Sequence, residues 1–86
     1  MAYYVYILRC KTGQLYTGYT NNVKRRISEH DKGTASRFTR SRLPVDLVYK
    51  EKCRNRTYAM QRELQIKKMA RVKKMKLIIL KSQPQD

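Results

Sequence analysis

Residues Tyr3 to Cys10 are β-branched, aromatic and aliphatic up to Arg9, and Gln14 to Thr20 continue in that character around Gly18, with Lys11-Thr12-Gly13 between the two runs. The pattern predicts a β-hairpin. A three-residue turn with Gly13 in the left-handed position pairs Cys10 with Gln14, and hence Tyr6 with Gly18 and Leu8 with Tyr16. Tyr6 and Tyr16 then share one face as diagonal neighbours, roughly 7–8 Å apart at the backbone. A four-residue loop would send one of them to the opposite face.

Asn21 or Asn22 can cap a helix that runs to about Asp31. Val23, Ile27 and His30 recur at i, i+4, i+7 along one stripe of it, Arg26 lies one turn before His30, and Gly33 ends it. Gly33 to Arg42 is Ser/Thr/Arg-rich with a single Phe38, which predicts a loop or a short irregular helix; Pro44 then opens a third strand through about Lys52. From about Thr57 a helix of good formers is expected to reach roughly Ala70, its apolar stripe of Ala59, Met60, Leu64, Ile66 and Ala70 enclosing the carboxylate of Glu63. Arg71 to Leu80 reads as a final helix, basic first and apolar last, and the residues from 81 to 86 as a frayed tail.

Composition narrows the partners. The 86 residues, 41% of them hydrophobic, suffice for one domain with a thin core, spanning about residues 1–80. No window approaches the ~18 apolar residues of a membrane span, and the start lacks the layout of a signal peptide, so a cytoplasmic location without membrane partners is expected. Cys10 and Cys53 have neither zinc-site nor redox spacing and are expected to be reduced, half-buried strand residues. The 21 Lys+Arg against 6 Asp+Glu give a net charge of +15, a field that a polyanion would answer. Nucleic acid is the first candidate because binding phosphates releases condensed counterions. An anionic lipid surface under a basic amphipathic helix is the weaker one.

Tyr4-Val5-Tyr6 followed by Tyr16-Thr17-Gly18 resembles the paired GIY and YIG tripeptides of the GIY-YIG nucleases. Val23-Lys24-Arg25-Arg26 followed by His30 matches the Arg-x-x-x-His helix that comes next in that family, and Glu63 falls where the family carries its metal-binding Glu. The resemblance covers about Tyr3 to Leu80. It is greatest to the small stand-alone bacterial GIY-YIG proteins and extends to the nuclease subunit of eukaryotic junction endonucleases. Val5 and Thr17 stand where the motifs have Ile, Tyr4 stands where they have Gly, and no Asn follows Asn55, whereas many relatives carry one near the domain's end.

The resemblance implies an α/β (α+β) fold, a small three-stranded mainly antiparallel sheet flanked by helices, with the site on the face carrying Tyr6 and Tyr16. It implies an endonuclease that hydrolyses phosphodiester bonds in DNA, with RNA as an alternative and branched or damaged structures as substrates, in the setting of DNA repair. Tyr6 would be the general base, Tyr16 the neighbour that hydrogen-bonds the base or the phosphate, Arg26 the phosphate fork, His30 a proton relay to or from Tyr6 or the leaving oxygen, and Glu63 the metal ligand. Gly18 would have a structural role. A phenol with pKa ≈ 10 needs nearby cations to favour phenolate, which Arg26 and a metal at Glu63 would supply. With six acids and one His, a protein-rich metal cage is not expected, and one hydrated Mg²⁺ (or Mn²⁺) per site, bound through one carboxylate, waters and the phosphate, is.

Lys24, Arg25, Arg37, Arg40, Arg42 and Lys67 are the side chains best placed along the chain to hold a nucleic-acid backbone, without reading sequence. For Lys68, Lys73, Lys74 and Lys76, phosphate contact and a solvated face both stay open. A monomer is expected, with room for a protein partner that completes the site. Each site residue also has a plainer role: Tyr6 and Tyr16 as a cross-strand aromatic pair, Gly18 as a bulge or close contact, His30 as a helix-dipole partner, Arg26 as a solvated side chain, Glu63 as the i,i+4 partner of Lys67. The rival function is a non-catalytic basic nucleic-acid-binding module of the same fold.

Overall fold

The computed structural model describes residues 2–82. Strands β1 (Tyr3–Cys10) and β2 (Leu15–Thr20) form the hairpin, followed by helices α1 (Val23–Asp31) and α2 (Arg37–Arg40), strand β3 (Val45–Cys53), and helices α3 (Arg56–Lys67) and α4 (Arg71–Ser82). The result is an α+β domain with a three-stranded antiparallel sheet in the order β2-β1-β3.

The turn follows the chemistry of Gly13. Its φ of +94° is the left-handed conformation, and bonds from Gly13 N–H to the Cys10 carbonyl and from Cys10 N–H to the Gln14 carbonyl close the loop. The register is therefore Tyr6 opposite Gly18 and Leu8 opposite Tyr16. Between β1 and β3 the register shifts at Ile7/Leu8, which leaves Val48 as an extra residue on β3. The Leu43–Pro44 peptide before β3 is cis.

Strand β1 is central and covered on both sides, so Val5 to Leu8 are all buried. Val5 and Ile7 pack with Tyr49 and Cys53 of β3 and with Ala59 and Ile66 of α3. Tyr6, Leu8 and Cys10 pack on the opposite face with Val45, Tyr16, Ile27 and Leu43. Cys10 and Cys53 are thus fully buried, not half-buried, and lie on opposite faces as free thiols.

Helix α1 is capped by Asn22, whose side chain accepts from Arg25 N–H, and Gly33 leaves it at φ +77°. Helix α3 departs from expectation. Its inward face is Ala59, Arg62, Glu63 and Ile66, whereas Met60 and Leu64 point outward, 43% and 55% exposed, and Ala70 is exposed beyond the helix end. The inward spacing of i, i+3, i+4, i+7 is helical but carries two charges, so an apolar stripe chosen by hydrophobicity alone selected the wrong face. The helix also stops at Lys67, where a tighter bond from Met69 N–H to the Ile66 carbonyl turns Met69 onto the core.

The charges on that face are matched. Arg62 Nε donates to both oxygens of Glu51 at 3.1 and 3.2 Å, and Tyr49 Oη donates to Glu51 at 2.5 Å, which ties α3 to β3. Helix α4 places Leu77 and Ile78 on the core and continues through Lys81 and Ser82; of the tail expected over 81–86, residues 83–86 lie outside the described part. No helix of the described residues is long and apolar enough to cross a membrane.

Candidate active site

Gly18 decides where Tyr6 goes. A methyl group at Gly18 would lie 2.5 Å from Tyr6 Oη and 2.7 Å from Cζ, so the phenol lies directly across the bare backbone of β2. This is close approach of a ring to a glycine that β-pairing alone permits. Gly18 does not have a positive φ, so its role is to leave space. The phenol consequently ends over β2, one of the two edge strands of the sheet, where groups from α1 and α3 can reach it.

Helix α1 delivers two of those groups. His30 is fully buried, and its Nε2 lies 3.0 Å from Tyr6 Oη while its Nδ1 lies 2.8 Å from Thr39 Oγ1. The Thr39 hydroxyl points at the Ser36 carbonyl, 3.4 Å away, and Arg26, which can only donate, reaches the Tyr6 oxygen. Donor and acceptor rules then put the imidazole proton on Nδ1 and leave Nε2 to accept the Tyr6 O–H. The chain of bonds runs Tyr6 to His30 to Thr39.

The electrostatics depart from expectation. Burial is the largest influence on Tyr6 and pushes its pKa up to about 12; the bond from Arg26 opposes this, and the nearby Tyr16 and Glu63 add to it. Arg26 alone therefore does not favour phenolate. His30 is held below its ordinary value, first by burial and then by the Arg26 charge, so it is neutral at pH 7. The ring has no exposed surface, and the cleft-side group it meets is the Tyr6 hydroxyl.

Arg26 is steered by a residue that sequence reasoning passed over. Glu29 accepts from Arg26 Nη1 at 3.0 Å, an i,i+3 pair whose spacing was visible in the sequence. Thr39 was also missed, and nothing in its Ser/Thr-rich surroundings singles it out. Tyr16 lies on the Tyr6 side, with ring centroids 6.4 Å apart, and its edge-on contact with His30 is at 5.1 Å.

Glu63 arrives from the other side of the sheet. Ala59 and Ile66 anchor α3 on the Val5/Ile7 face, and between them Glu63 lines a cleft of about 360 Å³ with Tyr3, Tyr6, Tyr16, Gly18 and Arg26. Tyr6, Tyr16, Arg26, His30 and Glu63 thus gather at one place, with four lining the cleft and His30 behind Tyr6. Glu63 is also paired with Lys67 at 3.3 Å, so the plainer role anticipated for it is present as well.

Among the described residues no cluster of three or more His, Cys, Asp or Glu exists that could cage a metal. One half-buried hard-oxygen ligand at the wall of a roomy cleft fits a hydrated Mg²⁺ or Mn²⁺, which keeps most of its waters, and does not fit a fully ligated ion.

Lys24, Arg25, Arg37 and Arg40 are exposed, and Arg25 also lines the cleft. Arg42 is engaged differently: it donates to the Phe38 carbonyl at 2.8 Å and covers the Phe38 ring at 4.1 Å, which finishes α2. Lys67 is engaged with Glu63.

The arrangement agrees with what the chain resembles. A model of the GIY-YIG catalytic domain matches residues 2–83. A UPF0213 protein of Natronomonas pharaonis is 50% identical over 76 residues, 88% of this chain and 89% of its own length. A UPF0213 protein of Clostridium perfringens is 51% identical over 79 residues, 92% of this chain and 85% of its own. The solution structure of a UPF0213 protein from Bacillus halodurans superposes with a TM-score of 0.63 at 44% identity, covering 98% of this chain and 89% of that one. Motif, register and whole-chain similarity coincide, and the chain belongs to the GIY-YIG catalytic domain family, a family of nuclease type.

Proposed function

We propose that this protein is a divalent-metal-dependent endonuclease that hydrolyses DNA, with Tyr6 as the group that deprotonates the attacking water. The observation that carries the reading is the Tyr6 hydroxyl at the cleft, bonded to a neutral His30 at 3.0 Å, with Arg26 and Glu63 beside it.

A phenol with a pKa of about 12 is ionised at pH 7 only to about one part in 10⁵. Waiting for free phenolate is therefore a poor route. The Tyr6 proton instead has an acceptor already in line: as the hydroxyl takes a proton from water it passes its own to His30 Nε2, and Thr39 receives the Nδ1–H bond that fixes the ring's tautomer. The imidazolium that forms is buried, and that cost is met only while negative charge develops on the phosphate. Arg26, oriented by Glu29, presents its fork to those oxygens. A Mg²⁺ or Mn²⁺ held at Glu63 would supply positive charge that favours ionised water and phenol.

One observation favours a second reading, a binding module without catalysis: Lys67 already neutralises Glu63. Flap and four-way-junction DNA incubated with the protein, with and without Mg²⁺ and beside Glu63→Ala, separates the two. Metal-dependent cleavage lost in the variant supports the enzyme. Equal binding by both proteins with no cleavage by either overturns it.

A further inference from the structure

A second groove, of about 200 Å³, adjoins the cleft and shares Tyr16 with it. Its lining is Leu15, Tyr16, Thr17, Phe38, Lys67 and Lys74. Tyr16 belongs to the Tyr6 face of the sheet, Leu15 packs toward the Val5/Ile7 core on the other face, and the two lysines come from α3 and α4. The groove therefore wraps the edge of β2, whose only strand partner among the described residues is β1. Cleft and groove follow that edge in sequence, from Gly18 and Glu63 to Thr17 and Lys67.

Three features of the groove point to one kind of occupant. Phe38 is 38% exposed; the Arg42 guanidinium lies over its ring at 4.1 Å, and the ring is inclined by 28° to Tyr16 with centroids 6.1 Å apart. Lys67, which is also paired with Glu63, and Lys74 bring positive charge to the same groove. Thr17, only 4% exposed, has a hydroxyl without a hydrogen-bond partner, which is costly unless something entering the groove satisfies it. An aromatic wall, flanking ammonium groups and an unsatisfied hydroxyl are what a planar, hydrogen-bonding, phosphate-linked ring requires. The volume is below the roughly 300–1,000 Å³ of drug-sized sites. It suits one base, not a base pair.

We propose that this groove is a nucleobase subsite, in which the unpaired base next to the phosphate held in the cleft stacks on Tyr16 and Phe38 while Lys67 and Lys74 hold its backbone. The inference rests on the nuclease reading for its placement and deepens it: the substrate is DNA with a single-stranded segment beginning at the cleavage position.

The test is a binding measurement in EDTA, where no cleavage occurs, with the full chain. The probe is a DNA duplex with a short single-stranded extension that carries 2-aminopurine at the first unpaired position; a blunt duplex is the reference. Stacking quenches the fluorophore on binding. Phe38→Ala is expected to abolish the quenching and to weaken binding of the extended duplex by roughly 5- to 150-fold, the range of one base–aromatic stack, with blunt-duplex affinity unchanged. Phe38→Tyr should restore both. Should Phe38→Ala fail the far-ultraviolet circular dichroism check, Phe38→Leu, which keeps apolar bulk without a π-face, takes its place. Lys74→Ala should preserve the quenching and lower the salt slope by about one. Unaltered quenching in the Phe38 variants, or an equal loss on the blunt duplex, overturns the subsite. Cleavage in Mg²⁺ without quenching removes the subsite alone, and quenching without any cleavage removes the nuclease reading alone.

Discussion

Adding one methyl group at Gly18 tests the packing on which the site depends, because two physical effects oppose each other there. Gly18 sits inside a strand without a positive φ, so alanine is compatible with the backbone and by chain entropy alone should stabilise the protein by about 0.4–1 kcal/mol. The structure demands the opposite sign. The new Cβ would meet Tyr6 Oη at 2.5 Å and Cζ at 2.7 Å, and Tyr6 is 1% exposed with its oxygen held by His30. The ring must lift by on the order of 1 Å, an overpacking cost of about 1–3 kcal/mol. The 3.0 Å bond to His30 is then stretched or lost, which leaves buried polar atoms poorly satisfied at a further ~1 kcal/mol or more. After the entropic gain is subtracted, a net loss of about 1–3.6 kcal/mol remains, a fall in Tm of roughly 4–29 °C for a domain of this size. Thermal unfolding of Gly18→Ala measures it, and the same substitution made in Tyr6→Leu supplies the second side of a double-mutant cycle. The penalty should shrink by at least ~1 kcal/mol in that background. A Tm at or above that of the parent, or a penalty indifferent to the residue at position 6, would show that the phenol does not lie on Gly18.

The acid limb of stability should report His30. Its folded pKa is below the ordinary 6.5, so the unfolded chain binds the proton first and stability, complete above about pH 6.5, falls as the pH drops toward the lowered folded value. Between pH 7 and 5, urea unfolding of His30→Gln should lack that slope; an identical slope in both proteins would mean the imidazole is not the group responsible. Tyr6 has the reverse sign: with its pKa raised to about 12, stability is complete below pH 10 and is lost as the pH rises from 10 toward 12, a slope that Tyr6→Phe should lessen but not abolish because Tyr49 is also raised to about 12. Arg26→Lys keeps the charge but loses the fork, and should lower kcat by roughly 10- to 150-fold, the worth of one charged hydrogen bond. Undiminished turnover would remove Arg26 from the phosphate. Lys67→Ala releases Glu63 from a partly exposed pair, and the Mg²⁺ concentration for half-maximal cleavage should fall by roughly 1.5- to 5-fold. If it rises instead, Glu63 is not where the metal is held.

Local rules made much of the fold legible in the chain itself. A glycine at the third position of a three-residue turn set the hairpin register, and register alone placed Tyr6 and Tyr16 on one face, because side chains alternate with period two. The α1 stripe put His30 inward and Arg26 beside it for the same kind of reason, and Asn22 and Gly33 bounded the helix by capping. Charge points to a polyanion without any tertiary information, because +15 on so small a chain is a property of composition.

Three dimensions decided what periodicity cannot carry. The hydrophobic stripe does not mark the inward face of α3 because a helix turns toward what it packs against, and here that face includes Arg62, matched by Glu51 of β3, and Glu63, which pairs with Lys67 and lines the cleft. The partners of His30 come from β1 and α2, and the direction of the Tyr6 shift depends on how deeply the phenol is buried, which no spacing encodes. Local chemistry determined the strands, the caps and the identity of the reactive side chains. Only the closing of α1 and α3 around the edge of β2 determined which of them meet and which protonation states they hold, because desolvation is a property of the assembled surroundings and of no residue alone.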